Sequence, residues 1–67
     1  MKEQELLEKA MCLYDEKLRK GTCAHAALAL ITQYAMMQCK EEGYTFDETV
    51  FFIQTVEQAI YQRQVNA

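Results

Sequence analysis

Three cysteines, a lone histidine and a lysine–glutamate pair are the side chains of this chain best equipped for chemistry. Cys12, Cys23 and Cys39 are thiols that could hold a metal or attack a substrate, and His25 is the one imidazole. Zinc needs its ligands about 2.0–2.3 Å from one ion. Cys23 and Cys39 fall on one helical segment, where sixteen positions at 1.5 Å each hold them about 24 Å apart. Cys23 and His25 are about 200° apart around the same axis, so they diverge. No metal site is expected. The odd cysteine count and the absence of paired spacing also argue against a disulfide framework, so reduced thiols are expected. Cys23 sits near a helix start, where the dipole could lower a thiol pKa. No base points its way, and a buried structural thiol is the preferred reading. Cys12 falls among charged residues and is expected in solvent.

Lys17 and Glu57 each interrupt an apolar helical face, which a stable fold tolerates only with partners. If the first and third helices run alike, one end of the molecule gathers Lys17, His25, Glu57 and Tyr61. Such a cluster has the composition of an acid–base site. A partly buried ion pair, with the lysine stem lying along apolar surface, explains it more simply. The chain has no serine and no glycine-rich loop, so nucleophilic triads and phosphate cradles lack candidates. Neither catalytic nor cofactor-binding residues are expected, no cofactor is implied, and the protein reads as a non-enzyme.

The elements that must position these residues follow from two glycines. Gly21 and Gly43 divide 67 residues into three segments of helical length, with proline absent. Each glycine reads as a helix C-terminal stop, because only glycine takes the left-handed cap conformation without strain. Thr22 is placed to cap the second helix, and Thr45-Phe46-Asp47-Glu48 matches a capping box. Helices are predicted near residues 2–20, 23–41 and 46–64, in a single helical domain over 1–67. The fold class is all-α, a compact three-helix bundle. Short connections favour antiparallel neighbours, giving up-down-up order. A helix-turn-helix crossing of the second and third helices is the alternative.

From Gly21 to Cys39 the only ionisable side chains are His25 and the weak acids Cys23, Tyr34 and Cys39. The segment is too rich in alanine, glutamine and threonine to span a membrane, so it is predicted to be buried over most of its circumference. In the first helix, Leu6, Leu7, Ala10, Met11, Leu13, Tyr14 and Leu18 share one side at 100° per residue. In the second, Ala24, Ala27, Leu28, Leu30, Ile31, Tyr34, Ala35 and Met37 cover more than half of the surface. In the third, Phe46, Val50, Ile53, Val56, Ala59 and Ile60 are predicted to face inward, Phe52 lies at the edge, and Phe51 points outward.

The net charge of −3 and pI near 5.0 supply no field toward nucleic acid or anionic lipid. The third helix, the would-be recognition helix, sets Asp47, Glu48 and Glu57 against Arg63 alone. The first residues alternate in charge where a signal peptide needs an apolar core, so a cytoplasmic location is expected. Phe51, Tyr34, Met37, Phe52, Met36 and Tyr44 are more large apolar side chains than three short helices readily enclose, and methionine and aromatics are enriched in interface cores. These six are the candidate protein interface. The expected function is a non-enzymatic protein-binding module, a small regulator or inhibitor, homodimeric and able to take a protein partner. Its size resembles stand-alone accessory proteins of bacteria and their phages. A helix-turn-helix nucleic-acid-binding regulator and a small subunit of a larger protein complex are the alternatives.

Overall fold

Both glycines end a helix as the sequence requires. Gly21 and Gly43 have φ of +92° and +77°, the left-handed region that an L side chain rarely adopts. At the first stop the Gly21 amide donates to the Leu18 carbonyl and Thr22 to Lys17; at the second, Gly43 donates to Lys40 and Tyr44 to Cys39. These are paired five-to-two and six-to-one bonds, so each helix closes its last carbonyls in a Schellman motif. The computed structural model describes residues 2–65 and contains α1 (Lys2–Arg19), α2 (Ala24–Glu41) and α3 (Phe46–Val65). Residues 1, 66 and 67 of the expected domain lie outside the described residues. Among those described the chain is all helix and turn, with no strand.

The two helix starts differ. At α3 the Thr45 amide donates to Glu48 Oε1 at 2.8 Å, and the Glu48 amide donates to Thr45 Oγ1 at 3.1 Å. This is the reciprocal capping box that the sequence predicts. At α2 the cap residue is Cys23, one position beyond the expected Thr22, and no side chain bonds to the open amides. The i→i−5 bond from Thr22 to Lys17 ties that residue to the end of α1 instead.

The core is one cluster drawn from all three helices. Leu6, Ala10, Met11 and Tyr14 come from α1, Ala27, Ile31, Ala35 and Cys39 from α2, and Phe52, Val56 and Ile60 from α3. The α2 and α3 stripes recur every fourth residue and the α1 stripe at three- and four-residue steps, the repeat of one helical face. The α2 stripe is mostly small, which lets both neighbouring backbones come close. The molecule measures 32 × 21 × 19 Å, so its length is about that of the 20-residue α3 at 1.5 Å per residue.

Two predicted faces are corrected. The uncharged α2 is not buried over most of its circumference: Leu30 and Met37 of its apolar face stand in solvent and Ala24 is exposed. Three short helices cover one another on one side only, and among the described residues no further element lies on the far side of α2. The inward face of α3 is also rotated near its start. Phe46 and Val50 are exposed and Phe52 is buried, whereas Val56 and Ile60 are in the core and Ile53 and Ala59 pack against it as expected.

Candidate protein interface

The exposed large apolar side chains are unevenly shared. Among the described residues all of them except Leu18 belong to α2 and α3: Leu30, Met36, Met37, Phe46, Val50, Phe51 and Tyr61. Phe51 and Met37 are each 63% exposed and Phe46 is 81% exposed. Isolated apolar residues on a surface are ordinary, but apolar groups in concentration mark interaction surfaces.

Helical phase arranges them on distinct flanks. On α2, Leu30 and Met37 are seven positions apart and share a flank with the half-buried Tyr34. Tyr34 lines a groove of about 330 Å³ against Lys9, Cys12, Leu13 and Glu16 of α1. Met36 lies on the other side of the outward direction. On α3, Phe51 and Thr55 look toward α1, where with Glu3, Gln4, Leu7 and Phe52 they line a hollow of about 140 Å³. Val50 and Tyr61 lie on the opposite flank of the buried stripe. The Thr55 hydroxyl donates to the Phe51 carbonyl at 3.0 Å.

Of the six expected interface residues, Phe51, Met37 and Met36 are exposed and Tyr34 and Tyr44 are half-buried. Phe52 is 2% exposed and belongs to the chain's own core, so it is unavailable to a partner. Phe46, Val50 and Leu30, read from sequence as core, join the exposed set. Phe46 opens α3, and a first-turn side chain lies at the end of the bundle, where neighbouring helices have turned away. That position is the sequence signal for its exposure.

The expected buried polar cluster does not assemble. His25, Glu57 and Tyr61 are exposed, Lys17 is half-buried, and no charged side chain is buried among the described residues. The cause is helix register. Glu3 and Gln4 lie beside Phe51 and Phe52, and Tyr14 lies beside Gln64, whose side-chain amide donates to the Tyr14 hydroxyl at 3.0 Å. Glu57 is therefore level with the middle of α1, roughly 13 Å along the axis from Lys17. The cross-helix ion pair is instead Arg63 with Asp15, both partly exposed. Glu16 pairs with Lys20, just past the end of α1, at 3.0 Å, and that hydrogen-bonded ammonium lowers the Glu16 carboxyl pKa.

The thiols also sort by position. Cys12 is exposed as expected, but Cys23 is exposed rather than buried, because it caps α2 outside the packed turns. Cys39 is buried, and burial raises its pKa against a weaker opposing hydrogen bond from the Thr49 side chain. Tyr44 is raised as well, first by burial and then by Glu3, Cys39, Glu42 and Glu48. Among the described residues no three of His, Cys, Asp and Glu are gathered to hold a metal ion, and no helix is long and apolar enough to cross a membrane. No protein family, characterised protein or solved structure matches this chain.

Proposed function

We propose that this protein is a non-enzymatic binding module, a small cytoplasmic regulator or inhibitor that acts through the apolar surface of α2 and α3 and pairs with a second copy of itself. The observation that carries the reading is the exposure of Leu30, Met36, Met37, Phe46, Phe51 and Tyr61 on two of three helices. A chain of 67 residues buries only about 60% of its unfolded surface by itself, so covering any of these flanks adds to its apolar burial. The start-to-start and end-to-end contacts of α1 and α3 support an up-down-up bundle, which leaves the outer side of α2 open to a neighbour.

Ala26, Leu30, Gln33 and Met37 follow the four-three-four spacing of a helix–helix seam. An antiparallel pairing of two α2 helices across a twofold axis brings Glu41 at the end of one toward Lys20 and His25 near the start of the other. Parallel pairing would stack like charges. The same exposed surface also supports a second reading, a small subunit completed inside a larger complex. Sedimentation of the purified chain separates the two: a stable dimer supports self-pairing, whereas a monomer that aggregates unless a partner is co-expressed supports the subunit.

A further inference from the structure

Phe51 stands between two hollows. On one side is the 140 Å³ hollow floored by Leu7 and Phe52. On the other a broader one, about 350 Å³, is lined by Tyr44, Asp47 and Glu48, and Glu3 and Phe51 belong to both. The first is apolar at its floor and has room for one aliphatic side chain. The second carries three carboxylates around two aromatic rings, and among the described residues neither lining includes a cation. Glu3, Asp47 and Glu48 are all solvent-exposed. The capping box fixes Glu48 in place through the Thr45 amide. Burial first, and then Glu3, Cys39, Glu42 and Glu48, hold the proton on Tyr44, the phenol of this hollow.

We propose that this paired hollow around Phe51 is the docking site for a basic amphipathic segment of a partner protein, which seats an aliphatic side chain against Leu7 and Phe52 and an arginine or lysine over Phe51 among Glu3, Asp47 and Glu48. The inference rests on the reading of the Phe51 face as a protein-binding surface and adds the chemistry of what it binds. Each part of the site selects for one part of that ligand. The exposed ring of Phe51 offers a π face to a cation, an attraction that acts within about 6 Å of the ring centre. The carboxylates reward a planar guanidinium most, because it can meet two oxygens at once. Nucleic acid and anionic lipid are repelled by the same three charges.

The test is a titration of the nitrogen-15-labelled full chain with a capped helical peptide of leucine, alanine and arginine, followed by amide shifts. Its control is the same peptide with citrulline, the neutral isostere, at every arginine. The expected result is saturable shifts confined to the start of α1, Tyr44 and the first half of α3. Affinity should fall by about tenfold or more for the citrulline peptide, for Phe51→Ala and for Glu3→Gln with Asp47→Asn. Phe51→Ala should keep the parent melting temperature, since its ring lies outside the core, and the double variant should stay folded with only the small drop that losing two first-turn acids causes. Equal affinity for both peptides, shifts spread over acidic residues elsewhere such as Glu5 and Glu41, or no binding up to about 1 mM would each overturn the inference. If any of these is found while the chain still forms its α2-dependent dimer, the basic ligand alone is wrong and the binding-module reading stands.

Discussion

Phe51 and Phe52 are chemically identical neighbours with opposite surroundings, one mostly in solvent and the other in the core. Truncating Phe52 leaves a cavity among Leu7, Val56 and the α1 stripe, so Phe52→Ala should cost about 3–5 kcal/mol in urea unfolding. Phe51→Ala should stay within about 0.5 kcal/mol of the parent and show its effect in association. Comparable losses from the two would place Phe51 in the core and remove it from the interface. The thiols give a second contrast. Cys12 and Cys23 are exposed and should react with a thiol reagent in the native state, while buried Cys39 waits for opening of the fold. The raised pKa of Cys39 fixes the sign of its pH effect. The folded state holds this proton more tightly, so the contribution is complete below the ordinary thiol value of 9.0 and is lost as pH rises through the folded value. Cys39→Ala should therefore flatten the alkaline fall in stability. An unchanged alkaline limb in that variant would show that Cys39 does not titrate with folding.

At the scale of the helix, what was legible in the sequence was local. A glycine that ends a helix and a threonine–glutamate box act within one turn, so Gly21, Gly43 and Thr45 could be assigned without knowing the neighbours. The rotation of α3 was not legible for the opposite reason. Its first two turns carry Phe46 and Val50 on one flank, Phe51 on another and Phe52 between, and only the position of α1 decides which of these is covered. The Lys17–Glu57 pairing failed on the same ground: composition placed both residues near a bundle end, but axial register is set by packing across helices. The unequal helix starts yield a prediction. Cys23 leaves the α2 amides without a side-chain acceptor, and the first turn of α2 contains no acid. Cys23→Asp should stabilise the fold by about 0.5–1 kcal/mol, through the cap bond and the helix dipole. Thr45→Ala should destabilise it by about 1 kcal/mol. Thermal melts of the two variants shifting in the same direction would contradict this assignment of the caps. Gly43→Ala meets no atom within 4 Å, so any loss there reports the left-handed backbone alone.

For the molecule as a whole, charge and apolar surface are distributed so that one arrangement of two copies satisfies both. The end of α1 contributes Lys17, Arg19 and Lys20, and His25 lies just beyond in α2, while Glu41, Glu42, Asp47 and Glu48 flank the α2–α3 turn. The stretch between these poles on α2 offers Leu30 and Met37 with no formal charge beside them. In the proposed dimer, two copies laid antiparallel along α2 would bury that seam and bring unlike poles together, so salt should weaken the proposed pairing by screening the ends while leaving its apolar centre intact. Leu30→Glu places a carboxylate near the twofold axis, where each copy would meet the other's charge in a desolvated contact. That variant should sediment as a monomer. Its melting temperature, extrapolated to low protein concentration where the parent too is monomeric, should match the parent, because Leu30 contributes little to the core. Leu30→Met, which preserves size and polarity, should remain dimeric. A parent chain that is monomeric at all accessible concentrations, or a Leu30→Glu dimer as tight as the parent, would remove α2 as the self-pairing surface and leave its exposed methionines to a foreign partner.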